Sequence, residues 1–183
     1  MNSYQVEPKP ITATHGMFSS KEQTYLTPQP IVQASIRVLG GINLDPCAET
    51  PGPDGFNVPA KHHFTIEDDG LAHGWYGTVF MNPPYGRVLP QWIDKLMAEY
   101  EVGNIPRAIV LVAARTDTRW WAKLSHHTLC LVRGRLKFSD GGSAPFPSAI
   151  FYLGLRGSWQ FAREFSAFGD IWTTIIPFRE ERL

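Results

Sequence analysis

The stretch Asn82-Pro83-Pro84-Tyr85 combines residue types that can hold a planar amino group. Proline fixes its own φ and biases the preceding residue toward extended backbone, so the two prolines form a stiff tip that aims the Asn82 amide and the Pro83 carbonyl. An amide oxygen and a backbone carbonyl can each accept one hydrogen from an exocyclic NH2 group, while the Tyr85 ring stacks on the attached heterocycle. Accepting both hydrogens points the nitrogen lone pair toward an electrophile, and a neutral amide favours the developing ammonium without a strong base.

The position of this stretch favours a functional site over an ordinary turn. Proline, asparagine and glycine are all common in surface turns, which is the alternative for NPPYG taken alone. Here an apolar strand pattern at 78–81 runs directly into the stretch, and residues 88–100 follow with apolar side chains at helical spacing. A rigid polar tip between a strand and a helix is the place where α/β proteins bind ligands.

Alternating strand and helix patterns along the chain predict an α/β fold. Thr27 as an N-cap and Pro28 as the first helical residue predict a helix that stops at Gly40-Gly41. Little helical pattern separates residues 128–132 from 148–153, so we expect the carboxyl half of the chain to be partly antiparallel. Strand patterns lie at 42–44, 78–81, 108–113, 128–132, 148–153 and 171–176, with a weaker one at 63–66.

Three of the predicted strands end at residues that suit ligand binding. Asp45-Pro46 follows one strand, Asn82 follows another, and Ala114-Arg115-Thr116 follows a third. Because the carboxyl ends of parallel strands meet at one edge of a sheet, we expect these residues to share one crevice. A plain strand-ending turn is the alternative interpretation of Asp45-Pro46.

The composition indicates a single domain in a reducing compartment, with cytoplasm as the default. The 183 residues are 43% hydrophobic, enough for one core, so we expect one domain over 21–183 after a flexible leader over 1–20. The formal net charge is zero, so any nucleic acid must be held by a local patch. The two cysteines form no CxxC pair, and the adjacent histidine pairs lack metal-ligand spacing, so neither a disulfide framework nor a metal is expected. No apolar run approaches the ~20 residues of a membrane span.

NPPY in this setting resembles the catalytic motif of the amino-group methyltransferases that use S-adenosylmethionine. More narrowly, the chain resembles the phage-type N-6-adenine DNA methyltransferases of the Dam family over about residues 25–153. The resemblance is carried by "YLTPQPIV", "LDPCAE", "FTIEDDGLAHGWYGTVFMNPPYG", "LVAARTDTRWW", "GRLKF" and "APFPSAIFYLG". It implies a Rossmann-like class I methyltransferase fold of reduced size, with a mixed, mostly parallel sheet flanked by helices. It also implies S-adenosylmethionine as the cofactor and double-stranded DNA as the partner, with the target adenine flipped out of the duplex.

The resemblance implies a donor site around the first strand. Thr27 and Pro28 match the motif that touches the donor's methionine carboxylate, and a helix start suits such a group. Asp45, followed by Pro46 and Cys47, matches the acidic segment that takes the donor's amino group.

The adenosine half of the donor is assigned by the same resemblance to an acidic segment further along the chain. Asp69 matches the expected acid, with Glu67 and Asp68 as alternatives, and a solvated acidic loop is the other interpretation of these residues. The glycine-rich loop usual after the first strand is replaced by LDPCAETPGPDGF, whose glycines come late and among prolines. Adenosine contacts from another part of the chain therefore stay open.

The resemblance implies that Asn82 and Pro83 orient the 6-amino group of adenine and that Tyr85 stacks on the base, with Pro84 completing the motif. Phe138 in GRLKF is placed like the second aromatic residue that holds a flipped base. Two aromatic faces would sandwich the base, at ~1–3 kcal/mol per stacked base. A position in the core of a strand is the alternative for Phe138.

Basic residues are concentrated in one span that holds few acids. Arg115, Arg119, Arg135 and Lys137 are the expected contacts to DNA phosphates, because such contacts give salt-sensitive, sequence-independent binding. A solvated helix face is the alternative. The whole span also contains two further cations and four aromatic or imidazole side chains, namely Lys123, Arg133, Trp120, Trp121, His126 and His127.

The interpretation that unites these features is a single-domain adenine methyltransferase that acts on duplex DNA. The resemblance implies a phage or prophage role in protecting or marking DNA, in the cytoplasm of a bacterial host. The oligomeric state is left open between a monomer and a weak dimer. Two rivals stay open: methylation of RNA or of a protein glutamine, and a DNA-binding relative that has lost the donor site.

Overall fold

The computed structural model of the protein describes residues 26–137 and 143–173. The expected leader and Phe138 therefore lie outside the described residues. A short 3-10 turn at Gly70–Ala72 precedes the third strand. The helices are α1 (Gln29–Leu39), α2 (Leu89–Glu101), α3 (Arg119–Leu124) and α4 (Ser158–Phe165). The strands are β1 (Ile42–Asp45), β2 (Ala60–His63), β3 (Thr78–Met81), β4 (Arg107–Ala113), β5 (Thr128–Val132), β6 (Ser148–Gly154) and β7 (Gly169–Trp172).

The strands form one mixed sheet in the order β2-β1-β3-β4-β6-β5-β7. The first four strands in this order are parallel to one another. Strand β6 lies between β4 and β5 and is antiparallel to both, and β7 is antiparallel to β5. The prediction of a Rossmann-like sheet with a partly antiparallel carboxyl half is confirmed. Strands β1, β3, β4 and β5 all end at the same edge of the sheet.

Helices cover both faces of the sheet, and each face of the sheet has its own apolar core. On one face, Ile31, Val38 and Phe161 of α1 and α4 pack against strand residues that include Phe80 and Ile109. On the other face, α2 and α3 pack against the alternate strand residues, such as Val79 and Val110. This alternation follows from strand geometry, in which successive side chains point to opposite faces.

Trp120 and Trp121 belong to this second core. Both are buried in α3, and the ring of Trp121 meets Phe151 edge to face at 5.0 Å between centroids. The sequence places them in a basic span, but their burial removes them from any exposed aromatic surface. Their contribution is to packing, because a buried aromatic side chain removes a large apolar area from water.

Several boundaries differ from the sequence prediction for identifiable reasons. Helix α1 begins one residue later, with an extended Pro28 at the N-cap position, because the Thr27 hydroxyl bonds Asn82 instead of capping the helix. Strand β2 ends at His63 rather than beginning there, since Asp68 accepts hydrogen bonds from Thr65 and turns the following chain. The described part of β7 begins earlier than predicted and stops at Trp172.

Candidate active site

The carboxyl edge of the parallel strands forms a pocket between the start of α1 and the ends of β1 and β3. Asp45 is the last residue of β1, Asn82 follows β3 directly, and Thr27 precedes α1. Cys47 lines the same pocket, so the structure brings four of the residues that the sequence nominated into one pocket. The full lining is Thr27, Asp45, Cys47, Ala48, Glu49, Phe56, Asn57, Val58 and Asn82.

Asp45 is a buried carboxyl group, only 5% exposed. Its Oδ1 accepts a hydrogen bond of 3.2 Å from the backbone N–H of Cys47. Burial raises the pKa of Asp45 from 3.8 to about 7, and the nearby Glu49 adds to the increase. Among the described residues no cationic side chain pairs with it. A buried carboxylate without a counter-charge is costly, so this position suits a cationic ligand group.

Asn82 is connected to both sides of the pocket by hydrogen bonds. Its amide Nδ2 donates to the Thr27 hydroxyl at 3.2 Å, and its Oδ1 accepts from the Tyr85 hydroxyl at 3.0 Å. Pro83 is buried and Gly86 has a φ of 98°, so the tip between β3 and α2 is set by proline on one side and by a left-handed glycine on the other.

Tyr85 lies against a second aromatic ring, that of Phe146. The two centroids are 4.8 Å apart with the planes tilted by 52°. Both side chains are half-buried, and Phe146 immediately precedes Pro147 at the entry to β6. The sequence nominated Phe138 as the aromatic partner of the motif but missed Phe146. The sequence signal for Phe146 was APFPS, in which an aromatic residue stands between two prolines directly before a strand.

The loop between β1 and β2 supplies part of the pocket lining. Glu49, Phe56 and Asn57 line it, and the Phe56 ring stacks on His63 with centroids 3.7 Å apart. Burial raises the pKa of Glu49. Sequence reasoning missed these residues because a loop rich in proline and glycine carries no periodicity. The available signal was the atypical segment LDPCAETPGPDGF, which replaces the usual glycine-rich loop after the first strand.

The acidic segment that the sequence nominated for adenosine lies beside this loop but does not line the pocket. Asp69 is exposed with a φ of 52°, and the carboxylate of Asp68 is engaged by Thr65. The neighbouring Gly70 packs so closely on the Asp45-Pro46 turn that a β-carbon there would overlap the Pro46 carbonyl oxygen. The acidic segment therefore supports the Asp45-Pro46 turn by packing against it.

Cys47 has the properties of a structural thiol. Burial, with the Asp45 charge as a second cause, raises its pKa well above the usual range. A nucleophilic cysteine needs a lowered pKa and a thiolate, so Cys47 lacks the electrostatics for that chemistry. Its backbone N–H is its contribution to the site, because it fixes the Asp45 carboxyl group.

The nominated basic residues divide into paired and unpaired groups. Lys123 contacts Asp94, and Arg133 contacts Asp170, each at 2.6 Å. Arg115, Arg119, Arg135 and Lys137 have no salt-bridge partner among the described residues, and the same holds for Arg87 in the turn after Tyr85. These five exposed cations follow the ends of β3, β4 and β5, so the fold places them along the edge that carries Asn82.

Metal clusters and membrane-spanning helices are both absent from the described residues. No group of three or more histidine, cysteine, aspartate or glutamate side chains is arranged to hold a metal ion. Within residues 26–137 and 143–173, no helix has both the length and the apolar character needed to cross a membrane.

The fold and the site define an α/β protein of the small Rossmann-like methyltransferase type. Residues 16–148 match the family described as DNA N-6-adenine-methyltransferase (Dam), which confirms the resemblance drawn from the motifs. The match covers most of the chain, and the protein belongs to this family. Among curated proteins, no sequence matches the chain.

Proposed function

We propose that the protein transfers a methyl group from S-adenosylmethionine to the 6-amino group of adenine in double-stranded DNA. The observation that carries the proposal is the convergence of Thr27, Asp45 and Asn82 on one pocket in a member of the adenine methyltransferase family. The reaction needs one site for a cationic donor and another for the amino group of the target. The carboxyl group of Asp45 suits the donor, and the amide of Asn82 suits the amino group.

The residues of the pocket fit the donor. Asp45 is buried and has no cationic partner within residues 26–137 and 143–173, and the α-amino group of S-adenosylmethionine is the cation that would complete it. Glu49 can accept hydrogen bonds from ribose hydroxyls, and Phe56 offers an aromatic face to the adenine ring. We assign the adenosine half to these two residues, with Asp69 in the supporting turn beside them.

The chain's own groups would prepare the target. When bound, S-adenosylmethionine supplies an electrophilic methyl group. Asn82 Oδ1 and the Pro83 carbonyl accept the two hydrogens of the 6-amino group, so its lone pair faces the pocket. Tyr85 stacks on the flipped base, and Phe146 or Phe138 forms the second face. Methyl transfer would form the new C–N bond as the S–CH3 bond of the donor breaks, with S-adenosylhomocysteine as the leaving group. The surplus proton on the amino nitrogen would pass to solvent, since the neutral Asn82 amide is a poor proton acceptor.

The unpaired cations support duplex DNA as the partner. Arg87, Arg115, Arg119, Arg135 and Lys137 are exposed at the edge where the target must enter, and phosphates are their natural ligands. We further propose that one domain over 21–183 carries the activity, with residues 1–20 as a leader. A phage or prophage protein that marks DNA against restriction in a bacterial cytoplasm is the biological setting that fits, as a monomer or weak dimer.

The test is transfer of labelled methyl from S-adenosylmethionine to unmethylated duplex DNA, RNA and protein in parallel, followed by digestion to nucleosides or amino acids. We expect label in DNA as 6-methyladenine. Label in RNA or in glutamine would refute the proposed substrate. A protein that binds neither S-adenosylmethionine nor its demethylated product by calorimetry would refute the donor site and favour a DNA-binding relative.

A further inference from the structure

Ser148, the first residue of β6, carries a buried hydroxyl group that has no hydrogen-bond partner among the described residues. The residue is only 1% exposed. A buried polar group without a partner costs stability, so its presence calls for an explanation. We propose that Ser148 is a specificity-determining residue whose hydroxyl donates to a ring nitrogen of the flipped adenine. This inference rests on the proposed function of the site and concerns the target base rather than the methyl donor.

Ser148 lies on the same face of the sheet as the Asn82 amide. Along β6, Ile150 and Tyr152 belong to the core under α1 and α4. Because side chains alternate along a strand, Ser148 shares the face of these two residues. Asn82 Nδ2 donates to the Thr27 hydroxyl directly before α1, so the Asn82 side chain is on that face as well.

The register of the sheet places Ser148 two strands away from Asn82. Ser148 pairs with Ala113, the last residue of β4, and β4 pairs in turn with β3, which Asn82 follows directly. Neighbouring strands lie about 4.8 Å apart, so roughly 10 Å across the sheet separates the two residues. A base whose amino group is held by Asn82, with one hydrogen bond at each end, spans a gap of this size.

The segment before Ser148 is fixed beside the aromatic ring of the motif. The backbone N–H of Ala114 donates to the Pro147 carbonyl at 2.8 Å, which continues the pairing with β4 beyond Ser148. Phe146, two residues before Ser148, meets the Tyr85 ring at 4.8 Å between centroids. A base that stacks on Tyr85 would therefore bring one edge toward the Ser148 hydroxyl.

The chemistry of the adenine edge determines what this hydroxyl can recognise. In the proposed reaction, Asn82 and Pro83 take the two hydrogens of the 6-amino group. The ring nitrogens N1 and N7, one on each side of that group, can only accept hydrogen bonds. A hydroxyl supplies one donor, so it can pair with either nitrogen and stop the base from rotating in its plane. Contact at N7 would also disfavour cytosine, which has a C–H group on that side of its amino group.

The test compares kcat/KM for methyl transfer on duplexes that carry adenine, 1-deazaadenine or 7-deazaadenine at the target position. Both analogues keep the amino group but replace one ring nitrogen by a C–H group. For the wild type, we expect a loss of roughly tenfold with the analogue that lacks the partner of Ser148, the scale of one hydrogen bond. Ser148→Ala should methylate adenine roughly tenfold less efficiently and lose its discrimination against that analogue.

Stability measurements separate recognition from a structural role. Ser148→Ala removes an unpaired hydroxyl, so its free energy of unfolding should equal or exceed that of the wild type. Ser35→Ala is the matched control, because it removes a buried serine hydroxyl that already donates to the Ile31 carbonyl at 2.8 Å. This control should discriminate between adenine and the analogues as the wild type does.

Two results would overturn the role of Ser148 while leaving the methyltransferase proposal intact. One is discrimination against both analogues that is equal in the wild type and in Ser148→Ala. The other is a Ser148→Ala variant that is less stable than the wild type, since the hydroxyl would then serve the fold. A wild type that methylates no adenine in DNA would overturn both proposals.

Discussion

At the scale of single residues, the energetics of the site centre on Asp45. An acid whose pKa is raised from 3.8 to about 7 by burial takes up a proton on folding between these two pH values. Ionisation of the buried Asp45 lowers the free energy of unfolding. This destabilisation is absent below pH 3.8, grows as the pH rises through this window and is complete above pH 7. The protein carries this cost at neutral pH, which is the signature of a group retained for binding rather than for stability.

Replacement of Asp45 should separate stability from binding. We expect Asp45→Asn to raise the free energy of unfolding at pH 8, by up to roughly 3–4 kcal/mol, because each pH unit of pKa increase corresponds to about 1.4 kcal/mol. The same variant should lose most of its affinity for S-adenosylhomocysteine. Denaturant unfolding and calorimetry measure the two effects, and a variant that is less stable at pH 8 yet binds normally would refute this view of Asp45.

The affinity for the donor should also depend on pH. If the ionised Asp45 receives the donor's amino group, the affinity for S-adenosylhomocysteine falls as the pH drops below about 7, by up to tenfold per pH unit. Calorimetry between pH 5.5 and 8.5 measures this dependence. The residual binding of Asp45→Asn should be flat over the same range, and a flat wild-type profile would contradict the assignment.

The aromatic ring of Tyr85 should contribute more to methyl transfer than its hydroxyl group does. Tyr85→Phe removes the hydroxyl bonded to Asn82 Oδ1 but keeps the ring beside Phe146, so we expect methyl transfer to fall by less than about tenfold. Tyr85→Ala also removes the stacking face and should cost roughly 1–3 kcal/mol more in binding the flipped base. Steady-state kinetics compare the variants, and equal losses in both would show that the hydroxyl, not the ring, carries the function.

At the scale of elements, regular strands were predictable, whereas the loops that complete the pocket were not. Strands such as β3 and β4 are continuous apolar runs. The ends of β1 and β3 place Asp45 and Asn82 at one edge of the sheet. The loop that contributes Glu49 and Phe56 has no periodicity, so its path is set by tertiary contacts that the sequence does not display. The contact of Phe146 with Tyr85 likewise depends on β6 lying beside β4, a non-local pairing.

The contact between Gly70 and the Asp45-Pro46 turn provides a test at this scale. Gly70→Ala should destabilise the protein by roughly 2–4 kcal/mol and weaken donor binding, because the added methyl group overlaps the Pro46 carbonyl oxygen and displaces the turn. Gly74→Ala is the matched control, since nothing lies within 4 Å of its β-carbon position. Thermal unfolding compares the two variants, and equal stability would show that the turn moves aside freely.

At the scale of the whole molecule, a chain with no net charge must bind DNA through the distribution of its charges. The fold gathers the ends of β3, β4 and β5 at one edge, and the unpaired cations follow those ends. Two other cations of the same span, Lys123 and Arg133, are already matched by acids. The sequence alone located the basic span, but only the structure distinguishes the unpaired cations from the paired ones.

The salt dependence of DNA binding should depend on the unpaired cations more than on the cations that form salt bridges. Arg115→Gln with Arg119→Gln should weaken binding similarly for all sequences and reduce the slope of log affinity against log salt by about 2, close to one per lost phosphate contact. Lys123→Gln, which removes a paired cation, should change the slope much less. Anisotropy titrations across salt concentrations measure the slopes, and a larger change in Lys123→Gln would place the DNA on a different surface.

In the proposed reaction Asn82 holds the amino group of adenine for methyl transfer, and the Asn82→Ala variant tests this role. The measurement is the rate of 6-methyladenine formation at saturating S-adenosylmethionine and DNA, for the wild type, Asn82→Ala and the control Asn104→Ala, whose exposed side chain bonds Glu99 far from the pocket. We predict a loss of roughly a hundredfold or more in Asn82→Ala, with product binding retained, and little change in the control. Methyl transfer by Asn82→Ala at the wild-type rate would contradict the claim.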